Sequence, residues 1–166
     1  MARTPKKKHA GSTPATVALT RLGIFFELRG YEHDPSVADF GAEAAEKLGV
    51  PAERVFKTLL VEADERLAVA IVPVAGKLDL KAMAAALGAR KAVMADPATA
   101  ERKTGYVVGG ISPIGQRTSL ATVLDESALG FEKVLVSGGR RGFDIELAPA
   151  DLMRATSALA AAIARR

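Results

Sequence analysis

Two neighbouring apolar runs limit the fold of this chain more than any other feature. Residues 55–61, VFKTLLV, and residues 67–74, LAVAIVPV, are rich in Val, Ile and Leu, which suit a pleated and partly buried strand. The charged residues 62–66 between them are typical of a hairpin turn. The sequence therefore predicts two central antiparallel strands.

Helix start and stop signals bracket several further segments. In the first, Thr13 stands at an N-cap position, Pro14 at the first helical position, and Gly23 just past the end. Aspartate and glycine bracket others, because aspartate caps a first turn and glycine accepts the left-handed conformation that ends a helix. The predicted helices cover residues 14–22, 39–49, 79–87 and 97–104, and a C-terminal helix starts at Pro149 and docks through Leu152, Leu159 and Ile163.

Short strands are predicted between these helices, at residues 24–28 and 91–94. Residues 132–137 and 143–147 form a second hairpin around the turn GGRRG at 138–142. Strands and helices alternate irregularly, which favours an α+β fold over a doubly wound parallel sheet. We therefore expect a curled, barrel-like, mixed but largely antiparallel β-sheet surrounded by α-helices.

The length of 166 residues is near that of one domain, and an apolar fraction of 49% is enough to build a core. Residues 1–12 are polar and lack hydrophobic periodicity, so we predict a disordered basic tail followed by a single domain at 13–166. No apolar run approaches the roughly 18 residues of a membrane helix. We expect a cytoplasmic protein without a membrane partner.

The sequence excludes several kinds of chemistry. It has no cysteine and only two histidines, His9 and His33, so disulfides, thiolate metal sites and a cysteine nucleophile are excluded and a zinc site is not expected. His33 has no flanking nucleophile motif, and we interpret it as a loop or core histidine. We expect no metal and no cofactor.

The net charge of +4 comes from the tail. Arg3, Lys6, Lys7 and Lys8 account for all four charges, which leaves a net charge of zero on the rest of the chain. The tail either binds an RNA backbone without sequence preference or serves as a solvated leader.

Lys57 is the most informative single residue. It interrupts a strand that is otherwise apolar on both faces, and burying an ammonium group without a partner is costly. The lysine therefore either lines a cleft or meets an anion, or else it starts the strand and extends its ammonium to water.

Residues 105–115 contain four glycines and one proline, which suits a shaped loop or a strongly bent strand. The loop either presents backbone N–H groups to a phosphate or an oxyanion, or only turns a tight corner. Asp144 shares a strand face with Glu146. It either orders the basic hairpin through Arg140 or Arg141, orients a substrate amine, or is an exposed carboxylate, and the sequence favours the last.

Four segments together resemble the YbaK/EbsC family. They are FGAEAAEKLGV from Phe40, VFKTLLV from Val55, TGYVVGGISPIG from Thr104 and VSGGRRGFDIEL from Val136. The resemblance covers nearly the whole chain after the tail and implies the fold of a prolyl-tRNA synthetase editing domain. It also implies an aminoacyl-tRNA deacylase that removes cysteine from Cys-tRNA(Pro), and possible activity on Cys-tRNA(Cys), in trans to prolyl-tRNA synthetase as a transient partner.

The resemblance also implies the site residues, matched position by position. The essential lysine of the family falls on Lys57, and the other implied catalytic positions are Gly109, Gly110 and Asp144. Substrate-binding residues are predicted at Tyr31, Phe40, Thr58, Ser112 and Ser137, and tRNA-binding residues at Arg140 and Arg141.

The mechanism that the resemblance implies is substrate-assisted. The cysteine thiol of the substrate attacks its own ester carbonyl, and the protein positions the reacting groups and stabilises the oxyanion. Two alternatives stay open at this point: a deacylase for another amino acid such as alanine, and a noncatalytic module that binds tRNA or a synthetase.

Overall fold

A computed structural model describes residues 12–166, so the predicted disordered tail lies, apart from Ser12, outside the described residues. Helices and strands alternate along the described chain. The α-helices are α1 (Pro14–Arg21), α2 (Phe40–Leu48), α3 (Leu80–Leu87), α4 (Pro97–Thr104) and α5 (Pro149–Thr156). The strands are β1 (Glu27–Gly30), β2 (Phe56–Ala63), β3 (Arg66–Pro73), β4 (Lys77–Leu78), β5 (Ala92–Met94), β6 (Ala121–Asp125), β7 (Val134–Arg140), β8 (Phe143–Leu147), β9 (Leu159–Ala161) and β10 (Ala164–Arg165).

The predicted caps set most helix boundaries. The Thr13 side chain accepts a hydrogen bond from the Thr16 backbone N–H, and the N-cap aspartates of α2, α3 and α4 each accept one from the backbone three residues later. These bonds satisfy N–H groups that have no partner within the helix. At the other end, α2, α3 and α4 stop at glycines with positive φ, namely Gly49, Gly88 and Gly105.

Two main sheets carry the architecture. The five-stranded sheet has the order β5-β2-β3-β6-β9, and the three-stranded sheet has the order β1-β8-β7. Strands β2 and β3 form the predicted antiparallel hairpin, whereas β6 pairs parallel to both β3 and β9. A bridge between Val55 and Leu135 joins the two sheets. The predicted α+β fold, with mixed and largely antiparallel strands, is confirmed.

The core explains why the central strands are apolar throughout. Along β3, Val69 and Ile71 pack into a cluster that also contains Leu19 and Ile145. Their neighbours Ala68, Ala70 and Val72 pack on the opposite face of the sheet, against Met83 of α3 and against Ile163. Because successive side chains of a strand point to opposite faces, a sheet covered on both faces needs a continuous apolar run.

The C-terminal prediction is wrong after Thr156. Helix α5 ends there, and Ser157 adopts a left-handed conformation with φ of 55°. Leu159 then lies in β9 and stays 46% exposed, so it does not dock a helix, whereas Leu152 and Ile163 are buried. Pairing of β9 with β6, 34 or more residues earlier in the chain, competes with the local helical propensity of the alanine-rich segment.

Two other predicted elements are corrected. The strand expected at 24–28 begins at Glu27 and ends at Gly30, since its position is set by antiparallel pairing with β8. Strand β7 extends through Arg140, across an irregularity in register between Ser137 and Arg140, so only Arg141 and Gly142 form the turn. Strand β6 was not predicted, although its central residues are buried.

Candidate active site

A cleft of about 580 Å³ lies where the two sheets meet, beside α2 and the loop at 105–115. Its walls come from β2, β8, the first turn of α2, the β5–α4 connection and the glycine-rich loop. The structure brings together seven of the eleven predicted site residues in this cleft: Tyr31, Phe40, Lys57, Thr58, Gly109, Ser137 and Asp144.

The edge of β2 forms the floor of the cleft. Strand β5 pairs with β2 only at residues 61–63, so the edge at residues 57–59 is open and both Lys57 and Thr58 line the cleft. Lys57 is half-buried. Among the described residues no carboxylate pairs with its ammonium, which leaves the charge available to a ligand.

Thr58 carries an unsatisfied polar atom. Its Oγ1 is buried and, within residues 12–166, has no hydrogen-bond partner. An unpaired buried hydroxyl costs about 1–3 kcal/mol, and buried polar atoms of this kind are uncommon in folded proteins. A hydroxyl in this state at the wall of a cleft is suited to bond a ligand there.

Asp144 is buried, which corrects the prediction of an exposed carboxylate. It is 6% exposed because β8 is the middle strand of its sheet and Arg29 of β1 lies opposite Asp144. Burial raises the pKa of Asp144 to about 7, against the opposing effect of the Arg29 charge. Sequence could not show this, since the strand that covers Asp144 is more than a hundred residues away.

Glu146 binds two arginines, one of which, Arg29, also lies opposite Asp144. The Glu146 carboxylate accepts hydrogen bonds from Arg29 Nη1 at 2.5 Å and Arg54 Nη1 at 2.9 Å. Although burial acts in the opposite direction, these two bonds hold the pKa of Glu146 below its usual range. No described ion pair reaches Asp144, so its carboxylate is free to bind a cation of the right size.

Tyr31 lies next to this carboxylate. Burial, together with the negative charges of Asp144 and Glu43, raises the pKa of Tyr31 to about 12. The phenol therefore keeps its proton at neutral pH and can donate a hydrogen bond inside the cleft.

Phe40 closes one side of the cleft and contacts two neighbouring side chains. The His33 ring lies 5.6 Å from it, and the Arg141 guanidinium lies 4.8 Å from its centroid. His33 Nδ1 in turn contacts the buried Glu43 carboxylate at 2.7 Å. The sequence did not indicate that Glu43 is the partner of His33, because the two residues are ten positions apart and no local pattern links them.

The remaining predicted residues lie around the cleft and do not line it. Gly110 is buried against the second hairpin, where an added Cβ would come within 2.6 Å of Arg140 Cα. Ser112 is fully buried, and its Oγ accepts a hydrogen bond from the Ile114 N–H. The Arg140 guanidinium, at the end of β7, lies 4.3 Å from the ring of Phe143 at the start of β8.

Several apolar lining residues were not predicted. Met94, Ala95 and Pro97 come from the β5–α4 connection, and Ile111 comes from the glycine-rich loop. Ordinary apolar residues carry no local signal of a ligand site.

Among the described residues, no helix is long and apolar enough to cross a membrane.

Comparison with known protein families assigns the chain to a family. Residues 34–155 match the model of the aminoacyl-tRNA editing domain, a range that includes every predicted site residue except Tyr31. The chain belongs to the aminoacyl-tRNA editing domain family. The predicted family and the predicted class of enzyme, a hydrolase that acts on aminoacyl-tRNA, are therefore confirmed.

Two relatives place the chain within this editing family. A protein of Enterococcus faecalis, named as a candidate Cys-tRNA(Pro)/Cys-tRNA(Cys) deacylase, EbsC, is 40% identical over 129 residues, which cover 76% of this chain and 79% of that protein. A proline–tRNA ligase of Acidithiobacillus ferrooxidans is 36% identical over 89 residues, 54% of this chain but only 16% of the ligase.

The fold is shared with a solved member of this group. The crystal structure of a candidate trans-editing enzyme for prolyl tRNA synthetase superposes with a TM-score of 0.79 at 23% identity, covering 99% of this chain and 100% of that one. This likeness confirms the predicted architecture of an editing domain.

Proposed function

We propose that this chain is a trans-editing enzyme that removes cysteine from Cys-tRNA(Pro), and also from Cys-tRNA(Cys), with the substrate thiol as the nucleophile. One observation carries the proposal: the cleft combines the Lys57 ammonium with the buried Asp144 carboxylate, while its described lining residues include no cysteine and no histidine. Such a site can position and stabilise a reacting ester better than it can attack one.

The amino group of the substrate is the natural partner of Asp144. Burial disfavours the ionised form of this carboxylate, and an α-ammonium that enters the cleft stabilises that form by pairing with it. The Thr58 hydroxyl and the Tyr31 phenol offer further hydrogen bonds, and Phe40 forms the apolar wall. Together these contacts fold the aminoacyl group so that its own thiol reaches its ester carbonyl.

In the proposed reaction, the cysteine sulfur loses its proton to solvent and attacks the ester carbonyl carbon. A C–S bond forms, the C–O bond to the terminal ribose breaks, and the ribose oxygen takes up a proton as tRNA leaves. Lys57 stabilises the negative charge that develops on this leaving oxygen. The cyclic thiolactone then reacts with water to give free cysteine.

Size selection explains why such an enzyme is useful. A pocket built for proline cannot strongly exclude another amino acid of similar size, so a second, hydrolytic site improves accuracy. The names of the two relatives support this reading, because one is named as a candidate Cys-tRNA(Pro)/Cys-tRNA(Cys) deacylase and the other as a proline–tRNA ligase. Prolyl-tRNA synthetase is accordingly our proposed transient partner.

The mechanism is tested by masking the thiol. We expect S-methylcysteinyl-tRNA(Pro) to be hydrolysed at least about 100-fold more slowly than Cys-tRNA(Pro), because a thioether cannot act as the nucleophile. The rates are measured under single-turnover conditions with excess enzyme. The masked substrate should still compete with Cys-tRNA(Pro), which controls for its binding. Similar rates for the two substrates would show that water attacks directly and that the thiol is not required.

A further inference from the structure

Val108 of the glycine-rich loop is held through both of its flanking peptide groups. The Val108 N–H donates to Glu101 Oε2 at 2.8 Å. The Val108 carbonyl oxygen accepts two bonds from Arg141, from Nε at 3.1 Å and from Nη2 at 2.7 Å. A carboxylate from α4 and a guanidinium from the hairpin turn therefore fix the orientation of Val108.

Fixing this carbonyl also fixes the next N–H group. The peptide bond is planar and trans, so the Gly109 N–H points away from the Val108 carbonyl oxygen and hence away from Arg141. Gly109 lines the cleft, and within residues 12–166 its N–H makes no hydrogen bond to the backbone or to a side chain. The neighbouring Gly110 N–H is already bonded to the Val107 carbonyl oxygen at 2.8 Å.

Glycine at position 109 is what allows Arg141 to come so close. The backbone there has φ of 90°, and an added Cβ would lie 2.6 Å from Arg141 Nε and 3.0 Å from two atoms of the Phe40 ring. The same guanidinium covers the Phe40 ring. Arg141 thus orders the Val108–Gly109 peptide and the Phe40 wall of the cleft together.

We propose that Arg141 is a positioning residue of the editing reaction, which aims the Gly109 N–H at the carbonyl oxygen of the substrate ester. The inference rests on the proposed function, because it assigns an oxyanion donor to that reaction. A cationic donor on the Val108 carbonyl also polarises the peptide and strengthens the N–H as a donor. This role is additional to the predicted contact of Arg141 with tRNA.

The kinetic test replaces Arg141 by lysine. Lysine keeps the positive charge for a phosphate but lacks the planar fork that bonds one carbonyl twice and stacks on a ring. We expect Arg141→Lys to lower kcat for Cys-tRNA(Pro) roughly 10- to 100-fold, part of the effect of losing an oxyanion donor, with KM unchanged. Arg154→Lys is the matched control, since within residues 12–166 the one ion pair of Arg154 is with Asp151, one turn earlier on α5. A variant with normal kcat and raised KM would show that Arg141 only binds tRNA, and would overturn the inference.

A second measurement does not need the reaction. In the 15N-labelled free protein, the Gly109 amide resonance should shift in Arg141→Lys and stay in place in Arg154→Lys, while thermal unfolding shows all variants folded. An unmoved Gly109 resonance would contradict the positioning role. If the wild-type protein hydrolysed no charged tRNA, the proposed function would fail separately, because this spectrum would still report whether Arg141 sets the peptide.

Discussion

Replacing Lys57 by alanine is expected to lower kcat/KM for Cys-tRNA(Pro) by about 100- to 1,000-fold. The removed ammonium is the cation that we propose stabilises the leaving oxygen, and a single electrostatic contact of this kind contributes on the order of 100- to 1,000-fold. Its loss also leaves the cleft with the Asp144 carboxylate but no opposing charge. Single-turnover deacylation of Cys-tRNA(Pro) measures the effect directly.

The fold should survive this substitution. Lys57 is half-buried and makes no described ion pair, so thermal unfolding of Lys57→Ala should be close to that of the wild-type protein. Lys57→Met is the matched control, because it keeps the aliphatic stem without the charge. Both variants should be equally inactive, and deacylation by a folded Lys57→Met protein at more than about a tenth of the wild-type rate would remove Lys57 from the mechanism.

The second large effect concerns Asp144 and pH. Because burial raises the pKa of Asp144 to about 7, the free enzyme loses its carboxylate as the pH falls through neutrality. We expect kcat/KM for Cys-tRNA(Pro) to decrease below about pH 7, since a neutral carboxyl no longer binds the substrate ammonium. Asp144→Asn should have a low kcat/KM that rises across this pH range only through ionisation of the substrate thiol, and so less steeply than that of the wild-type protein. A wild-type profile no steeper than the Asp144→Asn profile between pH 5.5 and 7.5 would contradict this assignment.

The same substitution should stabilise the protein at high pH. The pKa is raised from 3.8 to about 7 in the folded state, so ionisation of Asp144 lowers the free energy of unfolding as the pH rises from about 4 to about 7. At about 1.4 kcal/mol per pKa unit, removing that penalty in Asp144→Asn is worth up to about 4 kcal/mol at pH 8. The variant and the wild-type protein should unfold at similar denaturant concentrations near pH 4. A variant less stable than wild type at pH 8 would mean that the carboxylate has a structural partner.

Local signals predicted the helices well. The aspartate and glycine caps placed α2, α3 and α4 to within a residue, because each cap is a contact between groups three or four positions apart. The β2–β3 hairpin was predicted from two apolar runs, because its two strands are adjacent in the sequence and joined by a short charged turn. The end of α5 was wrong because its limit depends on β9 pairing with β6, which no local pattern encodes.

The site was predicted by residue type but not by environment. Sequence indicated Lys57 as an unusual cation, and the structure places it at the open edge of β2. The burial of Asp144 depends on β1, and the orientation of Val108 depends on Glu101 and Arg141, which are 40 residues apart. Contacts between distant segments of this kind appear only in three dimensions.

Deacylation of Cys-tRNA(Pro), Ser-tRNA(Pro) and Ala-tRNA(Pro) by the wild-type protein, measured side by side, is the most direct test of the proposed reaction. We expect rapid loss of cysteine alone, because serine offers a weaker nucleophile in the same position and alanine offers none. Removal of alanine would contradict the thiol-dependent mechanism and assign the site to another amino acid. If none of the three esters were hydrolysed, the proposed deacylase activity would be contradicted, and the alternative of a module that binds charged tRNA would be favoured.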